Sequence, residues 1–159
     1  MELRIFQRQL ARRLLAWSGF SAVGGAALWL TRRPFWHGVG SQAVGWGVVD
    51  AGIALIGQRA NTQKAGDPQA NTPAALAQEA ASLRRLLLVN AGLDVLYMLG
   101  GLRLARHEQE RWHGHGWGIV IQGAFLFVFD LLHAREVPPG NVQAAAAKDE
   151  NREADGTAA

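Results

Sequence analysis

Charged positions are spread unevenly along this 159-residue chain. Four stretches are almost free of them. Residues 14–30 carry no charge, 39–57 only Asp50, 86–104 only Asp94 and Arg103, and 116–132 only Asp130. A helix on the surface of a soluble protein shows a charge every few residues, because one of its faces meets water. Here the charges gather in the ends and connectors instead. At 1.5 Å of rise per residue each stretch is roughly 26–29 Å long, close to the thickness of a bilayer core. The pattern predicts an all-α, polytopic membrane protein with four transmembrane helices. Glycine recurs inside these stretches, as it does where membrane helices pack closely. A soluble bundle of wholly buried helices fits poorly with four such stretches in one small domain.

The connectors refine this picture. Thr72-Pro73 reads as a helix start, with threonine as cap and proline at the first helical position. The third helix is therefore expected to begin near Pro73 and to run on into the membrane. Residues 1–136 form the expected transmembrane domain. The polar, alanine-rich segment 137–159 lacks the apolar surface to order itself and reads as a disordered tail. The first apolar stretch is read as a span rather than a cleaved leader. Arg32 and Arg33 follow it directly, with no small-x-small cleavage site before them.

Lysine and arginine also set an orientation. Arg4, Arg8, Arg12, Arg13, Arg59, Lys64, Arg84, Arg85, Arg135, Lys148 and Arg152 fall on one side of the spans. Arg32, Arg33, Arg103, Arg106 and Arg111 fall on the other. Both termini should be cytoplasmic, with Trp29, Trp36, Trp112 and Trp117 at the outer interface. The basic balance, pI about 10.2, then reflects topology, and no nucleic-acid partner is inferred. The expected partner is the lipid bilayer, with a further copy of the chain or another membrane protein as a second.

The chain also reads as a duplicated helix pair. Trp36-His37-Gly38-Val39-Gly40 recurs as Trp112-His113-Gly114-His115-Gly116, 76 residues on. At the same offset Ser18 falls on Asp94, Ser21 on Tyr97 and Gly24-Gly25 on Gly100-Gly101. Further along, Gln42 and Asp50 match Gln122 and Asp130 at an offset of 80. Two spans per unit would relate the copies by an axis along the membrane normal.

Asp50, Asp94 and Asp130 are the most informative residues. An ionised carboxylate at bilayer depth costs on the order of 2.5–3.5 kcal/mol. Each must face the bundle interior, pair or stay protonated. Asn90, Asp94 and Tyr97 share a helix face, and Gln42 with Asp50 and Gln122 with Asp130 share others. These seven residues are expected to converge on one intramembrane polar cluster. Asp94→Leu is then expected to destabilise the bundle, by leaving partners unpaired. His107, His113 and His115 are weak candidates for a metal, since their spacing matches no established ligand motif. The chain has no cysteine, which excludes disulfides and thiolate chemistry. No P-loop, nucleophile elbow or zincin motif is present. No catalytic residue and no cofactor is assigned.

The strings LLLVNAGLDVLYMLGGLRL and GHGWGIVIQGAFLFVFDLL resemble the signature of an uncharacterised family of small bacterial membrane proteins. That pattern is N-x-G-L-D-x-x-Y-x-x-G in one helix and G-x-G-x-x-x-x-Q-G-x-F-L-x-x-F-D in the last. Asn90, Gly92, Leu93, Asp94, Tyr97, Gly100, Gly114, Gly116, Gln122, Gly123, Phe125, Leu126, Phe129 and Asp130 carry the match. The resemblance implies a four-helix fold in a bacterial plasma membrane and no particular activity. Two functions remain open at this point. In one the polar cluster organises the bundle or a partner interface. In the other the aspartates serve a small proton- or ion-linked transporter or channel. A cavity reaching the aspartates would favour the second.

Overall fold

The computed structural model describes residues 3–138. They form α1 (Leu3–Trp29), α2 (Pro34–Ala65), α3 (Pro73–Leu104) and α4 (Glu110–Glu136), with one turn of 3-10 helix at Gln69–Asn71. The expected tail lies outside the described residues from position 139 onward. Helices α2, α3 and α4 are each long and apolar enough to cross a membrane. Helix α1 is not among these, because Arg4, Arg8, Arg12 and Arg13 occupy its first half.

Local chemistry sets the helix starts. Proline opens both α2 and α3, where its missing N–H costs nothing. At α3 the Thr72 hydroxyl accepts a hydrogen bond from the Ala75 amide at 3.4 Å. The short links at 30–33 and 105–109 then fold α1 against α2 and α3 against α4 as antiparallel hairpins.

The hairpins meet through α2 and α4, which run parallel and touch near their starts. Glycine makes this possible. A Cβ on Gly38 would collide with the Arg111 carbonyl oxygen, and one on Gly114 with the Phe35 carbonyl oxygen. Within the first hairpin, Gly25 and Gly40 each abut the other's carbonyl oxygen. Gly101 and Gly116 do the same in the second. Gly47 lies on the Ser18 carbonyl, and Gly123 on that of Asp94. Every one of these partner pairs is 76 residues apart in sequence.

That regularity corrects the reading of Gln42 and Asp50. The backbone contacts keep an offset of 76 as far as Gly47 and Gly123, past Gln42. Gln42 packs on Gly118, and the residue that occupies the place of Asp50 in the second hairpin is Leu126. The Q-x7-D match at 80 is therefore one helical turn out of step with the packing.

Both termini of the described bundle lie at one end. There Arg13 on α1 reaches Glu136 on α4 at 3.4 Å. The opposite end carries the two short loops.

Candidate functional site

Helix α2 packs along α1 and α4, and α3 packs along α4, but α2 and α3 make few close backbone approaches. A cavity of about 500 Å³ lies between them, backed by parts of α1 and α4. Val49 and Ile53 on α2, and Leu86 and Leu93 on α3, border it and are exposed to the surroundings. The cavity thus opens sideways from the bundle.

The reason for the cavity is visible in the equivalent groove between α1 and α4. There the Trp17 and Phe125 rings stack 3.5 Å apart at 9°. The positions 76 residues away are Leu93 and Val49, which are too small to close the gap. One groove is plugged by two aromatic rings and the other is left open.

Asp50, Asn90, Asp94, Tyr97 and Asp130 all line the cavity. Asp50, Asp94 and Asp130 are 3%, 5% and 7% exposed. They come from α2, α3 and α4, and no lysine or arginine lines the cavity with them. Asp50 Oδ2 and Asp94 Oδ2 have no hydrogen-bond partner among the described residues. At the loop-facing end, the rings of Trp46 and Tyr97 meet edge to face at 5.4 Å and 74°. Trp46 precedes Asp50 by one turn of α2, and Tyr97 follows Asp94 by about one turn of α3.

Gln42 and Gln122 do not join them. Gln42 pairs with His115 Nδ1 at 3.1 Å, near the loop end. Gln122, 4% exposed, donates to the Ser21 hydroxyl at 2.7 Å and ties α4 to α1. The expected single cluster is thus two: a hydrogen-bonded tie between α1 and α4, and a set of carboxylates around an open space.

The histidines are spread along the loop end. His113 packs on Phe35, and His107 and His115 on either side of Trp112. Among the described residues no three His, Cys, Asp or Glu side chains are gathered to hold a metal ion.

The other end of the cavity is closed by an ionic network that sequence reasoning missed. Glu79 accepts from Arg4 Nη1 at 3.1 Å, Gln7 Nε2 at 3.1 Å and Lys64 Nζ at 2.9 Å. Burial pushes the Glu79 carboxyl up, but those bonds from Gln7, Lys64 and Arg4, with the Arg4 charge, outweigh it and hold it below its ordinary value. Arg4 also donates to the Ala70 carbonyl and Asn71 Oδ1. The Asn61 amide donates to the Arg4 carbonyl at 3.0 Å. A buried arginine with four acceptors is not legible in a run of terminal arginines. The one available signal was a glutamate placed six residues after Pro73 in an otherwise uncharged helix start.

On the α4 side, His133 Nδ1 donates to the Phe129 carbonyl at 2.6 Å, which leaves Nε2 to accept from Arg13 at 2.9 Å. Asp130 takes no part in that contact and faces the cavity instead.

A family model described as a family of unknown function (DUF6992) matches residues 13–131. No curated protein and no solved structure matches the chain.

Proposed function

We propose that this chain, which belongs to the family of unknown function DUF6992, is a non-enzymatic membrane carrier whose aspartates exchange protons or cations within the bilayer. All four helices cross, with α1 entering at Leu14. The Lys/Arg bias supports cytoplasmic termini, and the motif resemblance supports a bacterial plasma membrane. The repeated glycine contacts at an offset of 76 support a duplicated helix pair around an axis along the membrane normal.

One observation carries the functional reading. Asp50 and Asp94 are buried, yet each leaves a carboxylate oxygen without a partner at an open cavity. Polar side chains that only fix helix register are hydrogen-bonded across the interface, as Gln122 is to Ser21. A buried carboxylate that bonds to nothing destabilises the fold, which is expected where it serves binding or proton transfer. The organising role belongs to Gln122 and Ser21.

Liposomes holding purified protein and a pH-sensitive dye test this. Under an imposed pH gradient the wild type should exchange protons faster than empty vesicles. The double variant Asp50→Asn, Asp94→Asn should fold normally and lose the exchange. Equal rates for the wild type and this variant would remove the carrier reading.

A further inference from the structure

The chemistry of the cavity is one-sided. Three carboxylates line it without a basic residue, and the fourth, Glu79, is neutralised at its end by Arg4 and Lys64. Asp50 and Asp94 are more than nine-tenths buried and have unpartnered oxygens. A complementary occupant carries positive charge. The rest of the wall decides which kind. A small inorganic cation needs about six or more oxygen ligands, or its own waters. This cavity instead offers Ile53, Leu86, Leu93 and other aliphatic side chains over most of its surface. Its volume of about 500 Å³ lies within the range that holds small organic ligands. Trp46 and Tyr97 add aromatic rings one turn from the carboxylates, and aromatic rings attract organic cations through their negative faces.

We propose that the cavity between α2 and α3 binds a monovalent organic ammonium with an apolar body. Asp50 and Asp94 supply the counter-charge, Trp46 and Tyr97 a cation–π wall, and the aliphatic residues the seat for the apolar part. The body lies where Trp17 and Phe125 lie in the other groove. The inference rests on the carrier reading above and specifies what is carried.

The full chain in phosphatidylcholine nanodiscs provides the test, with radiolabelled benzyltrimethylammonium as the probe. Its uncharged isostere neopentylbenzene serves as the control. The wild type should bind the ammonium saturably, near one per chain, and show no saturable binding of the isostere. Asp94→Asn should weaken binding about tenfold or more, as loss of a buried charge partner does. Trp46→Leu, which leaves both carboxylates in place, should weaken it about threefold to tenfold through loss of the cation–π contact. It provides the reading if Asp94→Asn fails to fold. Leu93→Trp should block the site by filling it. Equal binding of the isostere would overturn the inference and identify an apolar occupant such as a lipid chain. Undiminished binding by both Asp94→Asn and Trp46→Leu, or no saturable binding by the wild type, would also overturn it. Proton exchange in liposomes that persists without ammonium binding would sink this inference alone. Loss of both would sink the carrier reading with it.

Discussion

Gly38 and Gly114 face each other's helices with no room for a methyl group on either. A Cβ on the first would strike the Arg111 carbonyl oxygen, and one on the second the Phe35 carbonyl oxygen. The contact is reciprocal, and it is where the two hairpins join.

Gly114→Ala should therefore loosen the junction. Overpacking of this kind costs about 1–3 kcal/mol, read as a lower unfolding midpoint in detergent. Gly45→Ala and Gly92→Ala are the controls. Nothing lies within 4 Å of a Cβ at either position, so both should be neutral or slightly stabilising. A Gly114→Ala variant as stable as these controls would mean that α2 and α4 do not meet there.

Glu79 gives a dependence on pH with a definite sign. Its carboxyl is held below the ordinary value of 4.5 in the folded chain. The stability it contributes is present above that value and lost as pH falls through the folded one. Wild-type stability should thus drop on acidification below about 4.5, and Glu79→Gln, already weaker at neutral pH, should drop less. Parallel curves for the two proteins would show that the Arg4–Glu79–Lys64 network is not formed.

Absence of cysteine from the sequence makes topology measurable with single replacements. Thr31→Cys and Glu108→Cys should react with a membrane-impermeant maleimide added to whole cells. Gln69→Cys should react only after the cells are opened. Labelling of Gln69→Cys in intact cells would invert the orientation. Failure to label Thr31→Cys would show that α1 does not cross.

Asp94→Leu reverses an expectation drawn from the sequence. The sequence suggested that this change would leave hydrogen-bonding partners stranded. The structure leaves Asp94 Oδ2 itself without a partner, so leucine removes a buried carboxylate and strands little. The variant should be more stable in lipid by about 1–3 kcal/mol, the scale of placing an aspartate at bilayer depth, and inactive in proton exchange. A clear loss of stability would reveal a partner for the carboxylate.

An apolar carbodiimide reaches carboxyl groups from the bilayer. Because the cavity opens between α2 and α3, Asp50 or Asp94 should be modified, as read by mass spectrometry of the digested protein. Modification confined to Glu79 and Glu136, at the end that holds the termini, would show the cavity closed to lipid.

The all-helical character and the four helices were legible because charge spacing and proline position act locally. The start of α3 rests on two adjacent residues, Thr72 and Pro73. The division of the polar residues was not legible. Gln42 and Gln122 are the same residue type, eight positions before an aspartate in each case, and identity suggested equivalent roles. Side-chain identity does not report register. Carbonyl-to-glycine contacts do, and they place Gln42 opposite Gly118. The cavity was illegible for a related reason. It arises from a difference between two grooves, Trp17 with Phe125 in one and Leu93 with Val49 in the other. That comparison requires knowing which residues face across each groove. Ser18 and Ser21, 3% and 4% exposed, share a face with Gly25. That small-residue face was a signal available in the sequence.

The sideways mouth of the cavity changes what affinity means for this protein. An occupant that enters between α2 and α3 arrives from hydrocarbon, not from water. Its concentration at the mouth is set by how strongly it partitions into lipid, and each buried methylene favours that by about 0.8 kcal/mol. An amphiphile scarce in the aqueous phase is then abundant where the site can sample it. Modest intrinsic binding suffices, and a dissociation constant quoted per litre of water overstates how tightly the protein holds its guest. Mole fraction in the bilayer is the natural unit for the site, and homologous guests that differ only in chain length should bind alike on that scale.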